Sequence, residues 1–232
     1  MPASDSKDIV VEWVQFPAGP HLLEGELAYG ERANGPLGGV VLAGSHPLLG
    51  GNMHNNVVRG LGDGLAECGL ATLRFNYRGV GRSQGPPVNV AGHMAEFWET
   101  SHVPGEMDLW RDVQGAVDFL RPVVSPTRPL FLIGYSFGCA LLPFVEPPTA
   151  FVLIAPPLGK HDYEAFTTIK SQMLVIVSEN DFAVEPARLR QWFGQLPAAT
   201  QLVQGPRDNH FFRGHESWLV ETVSAFLKEQ AG

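Results

Sequence analysis

Apolar residues fall into two rhythms along the chain. Over 10–16 and 22–29 they alternate or cluster between Pro and Gly breaks, the pattern of a β-hairpin at the start of a sheet. Then the rhythm changes. Residues 39–43, 71–75, 130–133, 150–154 and 173–177 are short, mainly apolar runs without a polar face, as expected of strands buried on both sides in a parallel sheet. Between and after them, 55–68, 106–120, 137–145, 185–195 and 216–229 read as helices. Right-handed crossovers place each helix against the strands it connects, so this alternation predicts one α/β domain over residues 1–232, a mostly parallel central sheet with helices on both faces. Residues 84–105 break the pattern: Pro86, Pro87 and Pro104 surround Met94, Phe97 and Trp98, and the stretch reads as an insertion that packs over something.

Composition supports a folded chain with a large interior. Hydrophobic residues make up 44% and charged residues 17%, against ~25% charged in a typical soluble domain. The net charge of −8 repels phosphate backbones and anionic membranes, so neither nucleic acid nor membrane is expected as a partner. Residues 1–7 lack the basic and apolar regions of a secretory signal, and no apolar run approaches the ~18–20 residues needed to span a bilayer, so the expected location is cytoplasmic. Cys68 and Cys139, far from any Cys-x-x-Cys pair, are expected to be small core residues rather than a disulfide or zinc ligands.

The strongest chemical signal is Gly134-Tyr135-Ser136-Phe137-Gly138, between the buried run 131–133 and the helical Cys139-Ala140-Leu141-Leu142. A serine at the apex of a sharp strand-to-helix turn has strained backbone and an exposed hydroxyl, and side chains in place of the flanking glycines would strike the neighbouring strand and helix. The helix start behind it is also expected to favour developing negative charge. Serine needs a base to take its proton, and the base needs an acid to orient it. Asp181 follows the 173–177 run, and His210 follows a short strand candidate at 200–203, just before the last helix. The order Ser136, Asp181, His210 is that of an α/β-hydrolase.

On these residues the chain resembles a small serine hydrolase of the α/β-hydrolase superfamily, near its dienelactone-hydrolase-like and short-chain esterase branches. The likeness runs from about residue 10 to 228. It includes Gly44-Ser45-His46-Pro47-Leu48-Leu49-Gly50-Gly51 after the third strand and the stretch from Leu73 to Ser83, containing Arg74-Phe75-Asn76-Tyr77-Arg78-Gly79-Val80-Gly81-Arg82, after the fourth. The resemblance implies that the first of these loops supplies one backbone donor to an oxyanion hole. Pro47 has no N–H, so that donor is assigned to Leu48, with Phe137 giving the other. Many relatives insert a lid domain where this chain has only 156–172, so no large lid domain and an open site are expected.

Other residues compete for several of these roles. Glu179 could replace Asp181 as the acid, but Asp181 matches the family position; Asp208 reads as a turn or solvent-facing carboxylate. His46 is expected to shape the oxyanion loop beside the substrate rather than transfer protons. His54, His93, His102, His161 and His215 lack metal-ligand spacing and read as surface or hydrogen-bonded side chains, so no metal and no cofactor is expected. Gly79-Val80-Gly81 reads as a tight turn rather than a phosphate loop. Phe97 and Trp98, with Met94, Met107 and Trp110, either pack the insertion onto the domain or line an acyl or alcohol pocket above Ser136. The expected function is hydrolysis of a small-molecule carboxylic ester, most readily a short-chain one, through Ser136, His210 and Asp181. The alternatives are a thioesterase, amidase, peptidase or acyltransferase with the same three residues, or a non-catalytic binding protein on a hydrolase scaffold.

Overall fold

The computed structural model describes residues 8–31, 35–207 and 210–231. Eight strands form one sheet: β1 (Ile9–Ala18), β2 (His21–Gly30), β3 (Gly39–Ala43), β4 (Ala71–Phe75), β5 (Leu130–Tyr135), β6 (Ala150–Ile154), β7 (Gln172–Val177) and β8 (Gln201–Gln204). Their order across the sheet is β1-β2-β4-β3-β5-β6-β7-β8. The β1–β2 hairpin joins antiparallel to β4, and every pair from β4 to β8 is parallel. Pro17 is tolerated in β1 because that strand lies at the sheet edge. β5 runs two residues past its expected end because Gly134 and Tyr135 still pair with Leu153 and Ile154 of β6.

Among the described residues the α-helices are α1 (Asn56–Glu67), α2 (Val90–Thr100), α3 (Trp110–Val124), α4 (Gly138–Leu141), α5 (Pro186–Phe193) and α6 (Glu216–Ala231). Strand side chains alternate between two faces. Val41, Leu132, Leu153 and Val175 share one core with Val113, Ala116, Val117 and Leu120 of α3, spaced to lie on one helical face. Val40, Phe131, Val152 and Leu174 share the other with Val57, Val58, Leu61 and Leu65 of α1 and Leu219, Val223 and Phe226 of α6. Runs without a polar face are thus strands covered on both sides.

Two helix readings are corrected. The segment expected as a helix over 106–120 begins with a 3-10 turn at Glu106–Leu109, and the α-helix starts at Trp110. The segment expected over 137–145 is a single α-turn followed by a 3-10 turn, Leu142–Phe144, whose Pro143 cannot continue the hydrogen-bond ladder. The 84–105 insertion contains α2, which has no buried residue. Cys139 is buried as expected, whereas Cys68 at the C-terminus of α1 is only half-buried. Among the described residues no helix is long and apolar enough to cross a membrane.

The topology creates one crevice. From β3 the chain passes through α1 to β4 on one side, then crosses to β5 on the other. The helices after β3 and β5, α1 and α4, belong to opposite cores. The loops leaving the carboxyl ends of β3 and β5 therefore diverge, opening the switch-point crevice where open α/β sheets place ligands. Residues 44–51 and Ser136 lie on those two loops.

Candidate active site

Ser136 sits at the sharp turn between β5 and α4 with φ 55°, a left-handed conformation that is strained for a non-glycine residue. Its N–H donates to Ile154 O at 2.8 Å and its carbonyl accepts from Cys139 N at 3.0 Å, so the turn is tied to β6 and α4. The flanking glycines are required by contact. A Cβ on Gly134 would lie 2.6 Å from Cys139 N, and one on Gly138 would lie 2.1 Å from Ala43 O at the end of β3. The helix behind Ser136 spans only Gly138–Leu141. A helix of this length places no long helix dipole behind the serine.

His210 is buried between its two partners. Its Nε2 is 2.7 Å from Ser136 Oγ and its Nδ1 is 2.8 Å from Asp181 Oδ1. A carboxylate only accepts, so Nδ1 carries the proton and Nε2 is left to accept from the serine hydroxyl. Asp181 Oδ1 also accepts from Ala183 N at 2.8 Å, which fixes the carboxylate within its own turn. The His210 carbonyl accepts from Tyr135 Oη at 3.1 Å, anchoring the histidine loop to β5. Burial pushes the Tyr135 phenol up, keeping it a donor. Glu179, the rival acid, faces outward and pairs with exposed Arg207 at 2.7 Å. Asp208 lies outside the described residues.

The loop 44–51 lies against this turn. Pro47–Leu49 form a 3-10 turn in which the His46 carbonyl accepts from Leu49 N at 3.2 Å and from Gly51 N at 2.9 Å. Among the described residues neither the Leu48 nor the Phe137 N–H has a protein acceptor, so both are available to a ligand. The His46 side chain is buried. Its ring stacks on that of Phe137, with centroids 4.1 Å apart and planes 22° apart.

Sequence reasoning missed Glu106. Its buried carboxylate accepts from His46 Nε2 at 2.9 Å, Val103 N at 2.8 Å, His161 Nε2 at 3.1 Å and His102 Nδ1 at 3.2 Å. Burial would raise its pKa, but the bonds from His161, His46 and Val103 outweigh burial and hold the carboxyl far below the usual carboxylate range. Burial likewise lowers the pKa of His46, opposed in part by Glu106. His102, Glu106 and His161 each offer a ligand atom within 4.8 Å of the others. The group fits a hydrogen-bond network better than a metal centre. Metallating Nε2 of His161 would move its proton to Nδ1, which is buried without an acceptor.

The insertion divides in two. Phe97 is half-buried, with its ring 6.2 Å from that of His46. Trp98 is 78% exposed, with its ring 6.4 Å from that of Phe97. Two aromatic rings beside His210 were not anticipated: Phe182 lies 4.9 Å from it and Phe211 5.8 Å from it, both exposed. Each directly follows a residue of the Asp181–His210 pair, and that adjacency was the available signal. Between β6 and β7 there is a short 3-10 turn, Glu164–Thr168, and no lid domain.

This sheet, with a serine turn at its switch point and no inserted lid, defines an α/β serine hydrolase. A family profile described as serine aminopeptidase, S33, matches residues 46–179, more than half of the chain, and the protein belongs to that family of α/β-hydrolases. An α/β serine hydrolase homologue from Coxiella burnetii superposes with a TM-score of 0.74 at 26% identity, covering 93% of this chain and 97% of that one. An α/β serine hydrolase without lid from Xanthomonas campestris gives 0.73 at 26% identity over 99% and 97%. An uncharacterized protein of Rickettsia prowazekii is 27% identical over 219 residues, 88% of this chain and 84% of its own length.

Proposed function

We propose that the protein hydrolyses carboxylic esters, preferring short acyl chains, through a Ser136–His210–Asp181 triad. The observation that carries this reading is the unbroken chain from Ser136 Oγ to His210 Nε2 at 2.7 Å and from His210 Nδ1 to Asp181 Oδ1 at 2.8 Å. Ser136 Oγ attacks the carbonyl carbon as its proton passes to Nε2, and Asp181 stabilises the resulting imidazolium. The carbonyl oxygen, now an anion, takes the N–H groups of Leu48 and Phe137. The C–O bond to the alcohol breaks, the proton on Nε2 leaves with the alcohol, and the acyl group stays on Ser136. Water then repeats the sequence and releases the acid.

Peptides are the competing substrates, because the family is described by an aminopeptidase activity. Recognition of a free α-amino group needs a carboxylate with capacity to spare beside the serine. Both oxygens of Glu106 are already engaged; Asp181 Oδ1 is engaged with His210, and its Oδ2, though without a partner, is buried, which favours the ester. The short-chain preference rests on the absent lid: each added methylene contributes about 0.8 kcal/mol only where it can be buried.

The test is a panel of p-nitrophenyl esters from acetate to palmitate together with aminoacyl p-nitroanilides, using wild type and Ser136→Ala. Acetate and butyrate esters should give the highest kcat/KM. Ser136→Ala should lose about 10³-fold or more in rate and all labelling by a fluorophosphonate. Near-normal ester hydrolysis by folded Ser136→Ala rejects the mechanism; higher efficiency on anilides rejects the substrate class; higher efficiency on palmitate rejects the short pocket alone.

A further inference from the structure

Glu106 takes no part in the steps above, yet its carboxylate is tied to both sides of the proposed oxyanion hole. On one side it accepts from His46 Nε2 at 2.9 Å. The His46 carbonyl closes the 3-10 turn that presents Leu48, so the position of this residue sets that of the loop. On the other side it accepts from His161 Nε2 at 3.1 Å. The rings of His46 and His161 both contact the buried Phe137 ring, with centroids at 4.1 Å and 5.3 Å. Phe137 and Leu48 carry the two N–H groups assigned to the oxyanion. Residues from three separate segments, the loop after β3, residues 102–106 and the β6–β7 connection, therefore meet at one anion.

A buried carboxylate is a costly way to fill space. What it supplies that an apolar side chain cannot is directional bonding: four donors converge on two oxygens, and a satisfied buried network of this kind is rigid. An oxyanion hole needs that property, because its donors stabilise developing charge only if they are in place before the charge appears.

We propose that Glu106 is a positioning residue for the oxyanion hole, holding the Leu48 loop and the Phe137 turn in register through His46 and His161. The inference rests on the triad reading and adds a component to it. Both acylation and deacylation pass through an oxyanion, so loosening the hole slows both steps and lowers kcat while leaving KM nearly unchanged.

The test compares wild type, Glu106→Gln and His161→Phe on a short ester, and measures inhibition by a trifluoromethyl ketone that forms a tetrahedral adduct. The amide of Glu106→Gln presents an N–H where the carboxylate accepted. His161→Phe keeps a ring against Phe137 while removing the bond. Glu106→Gln should lower kcat roughly 10–100-fold, with KM within about twofold and inhibitor affinity falling in proportion to kcat/KM. His161→Phe should show the same pattern at about 3–10-fold, and it decides the matter should Glu106→Gln fail to fold. A purely structural role would lower the unfolding temperature without changing kcat or inhibitor affinity in the folded protein, and that result overturns the proposal. Wild type that neither hydrolyses esters nor labels at Ser136 overturns the triad reading and this inference with it. An active, Ser136-dependent wild type with both variants within twofold overturns this inference alone.

Discussion

Ser136 and Phe97 show how much a single residue's surroundings decide. Ser136 stays at φ 55° because hydrogen bonds to Ile154 and Cys139 hold it there against a strain of order 1–3 kcal/mol. Neighbouring aromatics in the insertion have different fates: Phe97 is half-buried beside His46, whereas Trp98 is 78% exposed. Phe97→Ala should therefore shift the acyl-chain preference measured on an ester series. Trp98→Ala should leave the preference and the unfolding temperature close to wild type, since an exposed side chain loses little when truncated. Equal shifts in chain-length preference from the two variants would reject this division of the insertion.

Among the elements, the β5–α4 turn is the most constrained because two backbones approach there without room for a side chain. A Cβ on Gly138 would stand 2.1 Å from the carbonyl oxygen of Ala43, backbone that cannot rotate away, so α4 would have to lift off the end of β3. Gly138→Ala should cost about 2–3 kcal/mol in denaturant unfolding and, by separating the Phe137 and Leu48 donors, should also reduce ester turnover in the folded fraction. Unchanged stability and turnover would mean that the close contact is relieved without cost. The β4 end is secured by polar means instead. Glu24 Oε1 accepts from Asn76 Nδ2 at 2.7 Å and Arg82 N at 2.6 Å, and Asn76 Oδ1 accepts from Met53 N at 2.9 Å. The motif running from Leu73 to Ser83 thus fastens the loop beyond the Pro47–Leu49 turn to β2. Arg78 bonds the buried Asp112 of α3 and joins the same turn to the first core.

For the whole molecule, the perturbed groups give stability a definite pH dependence. Glu106 has a folded-state pKa below its ordinary 4.5, so the folded protein binds fewer protons than the unfolded chain as the pH falls past that value. Its stabilising contribution is complete above about pH 4.5 and is lost as the pH drops toward the folded value. His46, lowered from 6.5 by burial, acts with the same sign, resisting a proton that the unfolded chain accepts below that pH. Unfolding temperature should fall as pH is lowered from 7 to 4. The difference between wild type and Glu106→Gln should narrow below about pH 4.5, because acid neutralises the carboxylate that the variant lacks. A difference that stays constant from pH 7 to pH 4 would show that the ionised form of Glu106 is not what stabilises the fold.

What the sequence determined by itself is local or periodic. The apolar runs at 39–43, 71–75 and 150–154 coincide with β3, β4 and β6, because a strand covered on both faces must be apolar along its length. The serine turn was legible because its glycines answer to contacts within the motif and its immediate neighbours, and the chain order of Ser136, Asp181 and His210 follows from which strands carry them. Helix lengths were less legible, since Pro143 and the 3-10 turn at Glu106–Leu109 override a periodicity that continues past them. Glu106 itself was invisible. Two of its donors, Val103 and His102, lie three and four residues before it, but His46 and His161 are 60 and 55 residues away, and those separations have no period or motif. Only the folding of the loop 44–51, the insertion and the β6–β7 connection onto one point makes that carboxylate buried and bonded to His46 and His161. Burial and hydrogen bonding depend on distance in space, and for residues far apart in the chain that distance is set by tertiary structure alone.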